Sequence, residues 1–395
     1  YEIGVRLVGS EMCIRDRIVI IVSFKKMKVR VSGILMNEKL SNISKMFDKV
    51  LKDCVTSNIK ITLYFDHIRI QAMNERITYT DDIFDVNTDI SCDHKFSLLV
   101  DAGTLISFFK NHNQDIEIEI KNDYSIVFKY DRGSFSSTWI EDKAFPDFFY
   151  PVGDGIRVMS SSFIQSMKRS FAFVGSDEFR PAICSILLNV KKDYIDIVST
   201  DMFRLFINRK EYANAVEERS IMLSKVAASI LYRFLSDKDT EISISTDGVR
   251  TFLCFDNVII SDMNVEQQYP NYKYVCNKFE KSSRVKFDRD LLISVLNSMT
   301  LVDNVVNVKV DKESGITVMS EDFGNRKKIM ESMPFNALEG PCFNFSIGKE
   351  NILSSVKSLI KGDTVMDWSD QYKMIKMFNP KYESTYVLNQ TLYNL

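Results

Sequence analysis

A spacing of 124 residues recurs along the chain and limits its fold more than any single motif. Three helical segments end at Asp115, Asp239 and Asp363, with the sequences LISFFKNHNQD, ILYRFLSDKD and ILSSVKSLIKGD. A strand-like alternation follows each of them, reading IEIEI, EISIS and TVMDW. Because these features share one spacing, we predict three copies of one domain rather than a single large core.

A second amphipathic helix lies earlier in each copy. In the first copy Leu40, Ile43 and Phe47 are spaced so that they share one helix face. An offset of 124 residues carries this stripe into the second copy, and a further offset of 128 carries it into the third. The matching stripes are Ile164, Met167 and Phe171, and then Leu292, Val295 and Met299.

A proline turn also recurs near the end of a copy. Phe145-Pro146-Asp147-Phe148 lies 124 residues before Tyr269-Pro270-Asn271-Tyr272, and proline is tolerated where a strand ends. Alternating segments at 59–65, 194–199 and 316–320 are rich in strand-forming side chains. These patterns predict that each copy is an α+β domain with two short helices packed on antiparallel sheets.

The first 26 residues are expected to lie outside this pattern. A signal peptide and a membrane anchor are alternatives, but the apolar run 18–24 is too short to cross a bilayer and is followed by lysines. The run Met12-Cys13-Ile14-Arg15-Asp16-Arg17 instead resembles a translated transposon-end sequencing adapter. We expect residues 1–26 to be a non-native leader of adapter read-through and upstream sequence, with the true start at Met27.

The charge balance limits how the chain could bind nucleic acid. The whole sequence has 51 basic and 53 acidic residues, a net charge of −2. Without the first 26 residues the counts are 46 and 50, a net charge of −4. A mildly acidic chain can bind DNA only through a local basic surface.

Cysteine and histidine usage argues against a metal centre. Six cysteines follow Met27, none in a C-x-x-C pair, which is typical of free thiols in a reducing compartment such as the cytoplasm. The chain has few histidines and only scattered cysteines to form a zinc site or to carry histidine-based catalysis. We therefore predict no metal and no cofactor. The three histidines of the chain are His67, His94 and His112.

Two segments of the second copy carry a family resemblance. Residues 179–188 read FRPAICSILL, and residues 198–205 read VSTDMFRL. They resemble the middle domain of bacterial sliding clamps, the beta subunits of DNA polymerase III, whose pattern is approximately R-x-x-L-x-G-hydrophobic-hydrophobic and then A-T-D-x-H-R-L. The start at Met27 and both proline turns also match, so the resemblance extends over residues 27–395 and includes the three-domain order.

The resemblance implies a DNA-clamp fold, with domains at 27–150, 151–276 and 277–395. Two such chains would join head to tail as a homodimeric ring around double-stranded DNA, with helices lining the hole. The implied partners are duplex DNA bound without sequence preference, a replicative DNA polymerase and a separate clamp loader, with no membrane. Residues 100–115 and 285–300 are expected near the contact between the two chains.

Basic residues on the helices are expected to face the DNA, because phosphate contacts are independent of sequence and permit sliding. Arg169 is taken as the second-copy equivalent of Lys45. A solvated helix surface is the alternative interpretation for any one of these side chains. The predicted DNA-facing set is Lys45, Lys49, Lys52, Lys110, Arg169, Arg233, Lys357 and Lys361.

The resemblance also implies a groove between the middle and last domains that binds short apolar peptides of the partners. The sequence departs from the family at Met202 and Phe203, where glycine and histidine are usual, and in the tail at 388–395. These departures should reshape the groove. The predicted groove residues are Ile183, Thr200, Arg204, Leu205, Pro270, Val275, Val387 and Leu388.

An enzyme is the first alternative to a clamp. The chain has no G-x-x-x-x-G-K-[ST], G-x-G-x-x-G or H-E-x-x-H motif and no evident acid–base pair, so we predict that it is not an enzyme but an accessory subunit. The alternative is a three-domain adaptor that binds partners without encircling DNA. A clamp should stay on circular DNA and slide off linear DNA, whereas an adaptor should not distinguish them.

Overall fold

The structure is a computed structural model. It describes residues 27–47, 54–84, 86–89, 95–153, 155–211, 218–299, 304–322, 324 and 326–392. The expected leader at 1–26 lies outside the described residues, as do Lys49 and Lys52.

The first repeat contains ten strands and two helices within its described residues. The strands are β1 (Met27–Ser32), β2 (Asn58–Leu63), β3 (Ile68–Met73), β4 (Ile77–Ile83), β5 (Val86–Thr88), β6 (Phe96–Asp101), β7 (Asp115–Ile120), β8 (Ser125–Tyr130), β9 (Gly133–Thr138) and β10 (Ile140–Glu141). The helices are α1 (Gly33–Ile43) and α2 (Ala102–Lys110).

The second repeat follows the same order without counterparts of β5 and β10 among its described residues, and it adds a short helix at its end. Its strands are β11 (Ile156–Met159), β12 (Ser185–Val190), β13 (Tyr194–Thr200), β14 (Arg204–Glu211), β15 (Arg219–Ser224), β16 (Glu241–Thr246), β17 (Arg250–Phe255) and β18 (Val258–Met263). Its helices are α3 (Ser160–Ser170), α4 (Lys225–Leu235) and α5 (Tyr272–Lys278).

The third repeat completes the described chain. Its strands are β19 (Ser283–Asp288), β20 (Val305–Asp311), β21 (Gly315–Asp322), β22 (Lys327–Met333), β23 (Ala337–Glu339), β24 (Phe343–Gly348), β25 (Asp363–Ser369), β26 (Met374–Phe378) and β27 (Thr385–Gln390). Its helices are α6 (Arg289–Ser298) and α7 (Lys349–Ser358).

Antiparallel sheets join neighbouring repeats. One nine-stranded sheet runs β10-β6-β2-β3-β4-β18-β17-β16-β11, and the other runs β15-β12-β13-β14-β27-β26-β25-β19-β23. The pairing of β4 with β18 is called the first junction, and the pairing of β14 with β27 the second junction. The end sheets are β5-β1-β7-β8-β9 in the first repeat and β22-β21-β20-β24 in the third.

The helices pack on one side of these sheets, in the pairs α1 with α2, α3 with α4, and α6 with α7. Polar caps start several of them where a strand ends. Ser32, Asp101 and Ser224 accept backbone N–H bonds from residues three positions on, and Asp288 caps α6 in the same way. Such caps satisfy amides that a helix N-terminus leaves free.

The predicted apolar stripes lie in the core. Leu40, Ile43, Ile164 and Met167 are buried, as are Leu292, Val295 and Met299. The α+β class with antiparallel sheets and paired helices is therefore correct. The predicted boundary after residue 150 lies in the loop between β10 and β11, whereas the one after residue 276 falls inside α5.

The alignment of the first helices needs a correction. α1 begins at Gly33 and α3 at Ser160, an offset of 127 residues rather than 124. Lys45 lies in a 3-10 turn after α1, whereas Arg169 lies inside α3, so the two positions are not equivalent. A shift of three residues keeps an apolar stripe nearly in phase with a 3.6-residue period, which is why the pattern alone allowed the wrong offset.

Candidate functional site

A groove opens beside the second junction, with a volume of about 310 Å³. The loop between β13 and β14 forms one wall, α5 forms the second, and the third comes from β26, β27 and the turn before β26. Its lining residues are Thr200, Met202, Phe203, Arg204 and Leu205 on the first wall, Pro270, Asn271, Tyr272, Tyr274, Val275 and Lys278 on the second, and Tyr372, Met374, Leu388, Asn389 and Gln390 on the third.

Six of the eight predicted groove residues line this cavity: Thr200, Arg204, Leu205, Pro270, Val275 and Leu388. Ile183 and Val387 do not. Val387 packs in the helix-side core of the third repeat with Phe206, because successive strand residues point to opposite faces and its neighbour Leu388 faces the groove. Ile183 is buried beside Gly175, whose amide donates to the Ile183 carbonyl at 2.8 Å.

The guanidinium of Arg204 is already occupied. It pairs with Asp201 at 2.7 Å and donates to Ser354 Oγ at 2.6 Å and to the Ala172 carbonyl at 2.9 Å. Since Ser354 belongs to α7, this side chain ties the second repeat to the third. Arg204 thus supports the groove wall more than it offers a free charge to a ligand.

The turn between β13 and β14 has a strained residue at its tip. The Thr200 hydroxyl accepts from the Met202 amide at 3.0 Å, and the Asp201 carboxylate accepts from the Phe203 and Arg204 amides at 3.0 and 2.7 Å. Met202 has a φ of 78°, in the left-handed region that glycine adopts without cost. The turn therefore presents Met202 and Phe203 outward, 49% and 65% exposed.

The α5 wall is fixed to the sheet by a buried polar cluster. The Tyr272 hydroxyl donates to Asp196 at 3.1 Å and accepts from Asn189 Nδ2 at 2.7 Å. Arg209 pairs with the same carboxylate at 2.8 Å. Burial, and next the nearby charge of Asp196, raise the pKa of Tyr272. Its hydroxyl therefore remains a donor over the physiological pH range, and α5 keeps its position.

Sequence reasoning missed several groove residues. Tyr274 and Lys278 follow Pro270 at a four-residue spacing on α5, a helical pattern that could have identified them. Tyr372 and Gln390 come from the turn before β26 and the end of β27. No local sequence signal points to these two, because strand pairing alone brings them to the groove.

The predicted DNA-facing residues are placed on or beside the helices. Lys45, Lys110, Lys357 and Lys361 are exposed. Arg233, on α4, is half-buried and donates to the Ser41 carbonyl of α1 at 3.1 Å, so it also links the first two repeats.

Arg169 belongs to a group of cations on the helix side of the second junction. Burial, and next the charge of Arg289 on α6, lower the pKa of Arg169. Burial, and next the charge of Arg169, also lower the pKa of Lys210 at the end of β14. No carboxylate among the described residues pairs with Arg169 or Lys210. Arg289 itself pairs with Asp290 at 2.6 Å, so Arg169 and Lys210 supply the positive potential between the second and third repeats.

The described residues contain neither a metal-binding group nor a membrane-spanning helix. No three His, Cys, Asp or Glu side chains there are grouped so that they could hold a metal ion. Of the helices described, none has the length and apolar character needed to cross a membrane.

Comparisons with known proteins point to one group. No protein-family model matches the chain. The beta sliding clamp of Rickettsia bellii is 24% identical over 237 residues, covering 55% of this chain and 62% of the relative. That of Synechococcus elongatus is 20% identical over 239 residues, covering 58% and 63%. The chain thus matches somewhat less than two thirds of the length of each relative.

Solved structures match over nearly the whole chain. The DNA polymerase sliding clamp of Bacillus subtilis superposes with a TM-score of 0.85 at 15% identity, covering 94% of this chain and all of that one. The DNA polymerase III beta subunit of Thermotoga maritima gives 0.84 at 16% identity, covering 93% and 100%. The Pseudomonas aeruginosa sliding clamp bound to griselimycin gives 0.85 at 13%, covering 94% and 100%. At such identities the likeness establishes the fold.

Proposed function

We propose that this chain, which has the fold of the bacterial DNA sliding clamps, is itself a sliding clamp. Two copies close into a ring around duplex DNA, and the ring tethers a replicative polymerase to its template. The protein is a non-catalytic accessory subunit, and its effect is kinetic. It keeps a released polymerase close to the DNA, so that rebinding becomes nearly intramolecular.

The observation that carries this proposal is the repetition of the sheet junctions. β4 and β14 occupy the same place in their repeats, because each is the last strand of its ladder, β2-β3-β4 or β12-β13-β14. Each also pairs with the last strand of the following repeat's β16-β17-β18 or β25-β26-β27 ladder, namely β18 or β27. In the third repeat β22 holds this place, and in the first repeat β9 is the last strand. Within the described residues, β9 and β22 each pair on one side only.

The side chains at these edges support the pairing of β22 with β9 of a second copy. At the first junction Tyr79 lies opposite Ile260, and at the second Phe206 lies opposite Val387; all four are buried. The positions that correspond at the free edges are Ile329 on β22 and Phe135 on β9. Both are apolar and half-buried, and both pack against the helix-side core of their own repeats.

The helices beside the two edges fit the same arrangement. A shallow depression beside α2 is lined by Phe108, His112 and Phe135, and Leu291 on α6 is 45% exposed. Phe108 and His112 belong to the segment 100–115, and Leu291 belongs to the segment 285–300, the two segments expected near the contact. β9 and β22 lie at opposite ends of the chain, so pairing β22 of one copy with β9 of another is a head-to-tail contact. Two copies joined in this way form a closed ring in which no such edge stays exposed.

The cations on the helices support a central hole that holds DNA. Lys45, Lys110 and Lys357 are exposed on the helix side, and Arg169 and Lys210 lie where no described carboxylate neutralises them. A net negative chain with a local basic surface favours retention by encirclement over tight binding, because screening confines the attraction to roughly 10 Å.

Loading onto closed DNA then requires a separate clamp loader to open the ring. The groove beside the second junction is where a partner peptide binds.

Light scattering and DNA retention test the proposal together. The protein should have twice the chain mass of 45.7 kDa at micromolar concentration. Loaded protein should remain on circular DNA and leave the same DNA after one double-strand cut. A monomer, or equal retention on both forms, would favour the adaptor that does not encircle DNA.

Variants at the predicted contact sharpen the test. Phe135→Asp and Ile329→Asp each place a carboxylate in the new junction and should convert the dimer to a folded monomer. Phe65→Asp is the matched control, because Phe65 is exposed in a turn away from both edges. A dimer that persists in both edge variants would exclude this pairing.

A further inference from the structure

The groove beside the second junction has one positive charge that no described group neutralises. Arg204 and Lys278 are the cationic side chains of its lining, and none of the lining side chains is a carboxylate. Arg204 is paired with Asp201. Lys278 forms no ion pair with any described carboxylate, and its ammonium lies 4.3 Å from the centroid of the Tyr274 ring.

The contact with Tyr274 holds the Lys278 ammonium at the groove. A cation over an aromatic face is attracted by the ring quadrupole, and hydrogen bonding to Tyr274 raises the pKa of Lys278. The side chain therefore stays charged over the physiological range. Its position on α5 is fixed in turn by the Tyr272–Asp196 hydrogen bond beneath that helix.

The opposite wall is apolar and strained. Met202 keeps a left-handed backbone, which costs energy in a residue with a side chain and nothing in glycine. Strain of this kind is found where the surrounding structure and the function require it. Here it directs two large apolar side chains, Met202 and Phe203, along the rim of the cavity.

We propose that the groove selects a short apolar segment that carries a carboxylate, with Lys278 reading the carboxylate and the Met202–Phe203 turn holding an apolar side chain. The occupant is a partner protein's peptide, and this inference rests on the proposed function for the existence of such a partner. Charge complementarity decides the chemistry, because an apolar cleft with one free cation favours an acidic ligand over a neutral or basic one.

Selection from a random hexapeptide display library on the full chain tests this directly. Peptides enriched on the wild-type protein should contain at least one Asp or Glu beside aliphatic or aromatic residues. On Lys278→Gln the acidic preference should disappear while the apolar preference remains. Lys273→Gln is the matched control, because Lys273 is exposed on the same helix but does not line the groove.

The selected peptide then gives a quantitative readout by fluorescence anisotropy. Exchanging its acidic residue for the amide should weaken binding about two- to fivefold, as expected for one exposed ion pair, and should have no effect on Lys278→Gln. Failure to enrich any peptide, enrichment of neutral or basic peptides, or acidic enrichment that survives in Lys278→Gln would overturn the proposal.

Met202→Gly separates the strain from the contact. Glycine removes the unfavourable backbone energy, so the melting temperature should rise, while the affinity for the selected peptide should fall severalfold. A melting temperature that does not rise would contradict backbone strain at Met202. Unchanged affinity would exclude Met202 as a binding wall.

Failure of this inference differs from failure of the proposed function. A dimer that is retained on circular DNA but enriches no acidic peptide would contradict the groove chemistry and leave the clamp intact. A monomer that binds acidic apolar peptides through Lys278 would do the reverse.

Discussion

The two junctions between repeats share one backbone geometry and differ in chemistry. The first junction is bridged by charge: Arg76 pairs with the buried Asp262 at 2.8 Å. On its helix side, Lys238 approaches Glu38 at 3.4 Å. In the second junction a neutral hydrogen bond joins Asn208 to Thr385. Antiparallel strand pairing gives both junctions the same backbone geometry. The different side chains should therefore make the stability of each junction respond differently to pH, salt and mutation.

The largest effect is expected from Asp262→Ala at the first junction. The carboxylate also accepts the Ser224 amide at 2.6 Å, so its loss leaves a buried amide and the Arg76 guanidinium without their partner. Removing one member of a buried ion pair costs about 3–5 kcal/mol. Urea unfolding should register this as a lower free energy of unfolding.

Asp262→Asn is the matched control for that variant. The amide keeps the shape and one acceptor oxygen, so its cost should be clearly smaller. The exposed pair of Arg157 with Glu241, at 3.4 Å, gives the baseline. Arg157→Ala should change the free energy of unfolding by less than about 1 kcal/mol. Equal losses in Asp262→Ala and Arg157→Ala would show that the first junction does not depend on its buried charge.

The second junction should respond less strongly. Thr385→Val removes the acceptor of the Asn208 amide while keeping the side-chain shape, and a buried donor left unpaired costs about 1–3 kcal/mol. Asn208→Leu with Thr385→Val removes both partners and should recover most of the loss. The double-mutant cycle by urea unfolding measures the coupling, and an additive result would contradict a direct interaction.

A smaller difference should appear with pH. Burial raises the pKa of Asp262 above its usual 3.8, more than the charge of Arg76 lowers it. In the window just above pH 3.8 the folded chain therefore binds more protons than the unfolded chain, and stability falls as pH rises. One group contributes at most about 1.4 kcal/mol per pH unit.

Comparison of wild type with Asp262→Asn isolates that contribution. The free energy of unfolding of the wild type relative to Asp262→Asn should decrease as pH rises from about 4. The cost of Thr385→Val should be constant over the same window, because neither Asn208 nor Thr385 titrates. A parallel pH response in wild type and Asp262→Asn would assign the titration to another group.

The repeat and the apolar stripes could be predicted from the sequence because both depend on local periodicity. The same periodicity explains the error at the first helices. A shift from 127 to 124 residues moves the alignment by almost one helical turn and leaves Leu40 on an apolar position of α3. The charged positions have no such redundancy, so Lys45 and Arg169 were wrongly matched.

The groove was predicted only in part because its residues are selected by long-range pairing. Leu388 faces the cavity and Val387 faces the core, a distinction of one residue that depends on the register of β27 against β14. The sequence shows that Arg204 is a cation. Its contacts with Asp201 and Ser354 depend on how the third repeat packs on the second, and no local sequence pattern specifies that packing.

The smallest effect is expected at the exposed edge of the first junction. Lys238 and Glu38 are each 48% exposed, so their ion pair competes with water and is screened by salt. Lys238→Gln should cost about 0.2–1 kcal/mol at low ionic strength, and the cost should vanish near 1 M salt. The cost of Asp262→Ala should persist in that salt, because a buried pair is screened much less. If both costs vanish together, exposed charges rather than the buried Arg76–Asp262 pair stabilise the first junction. The two junctions would then differ in their exposed ion pairs and not in a buried one.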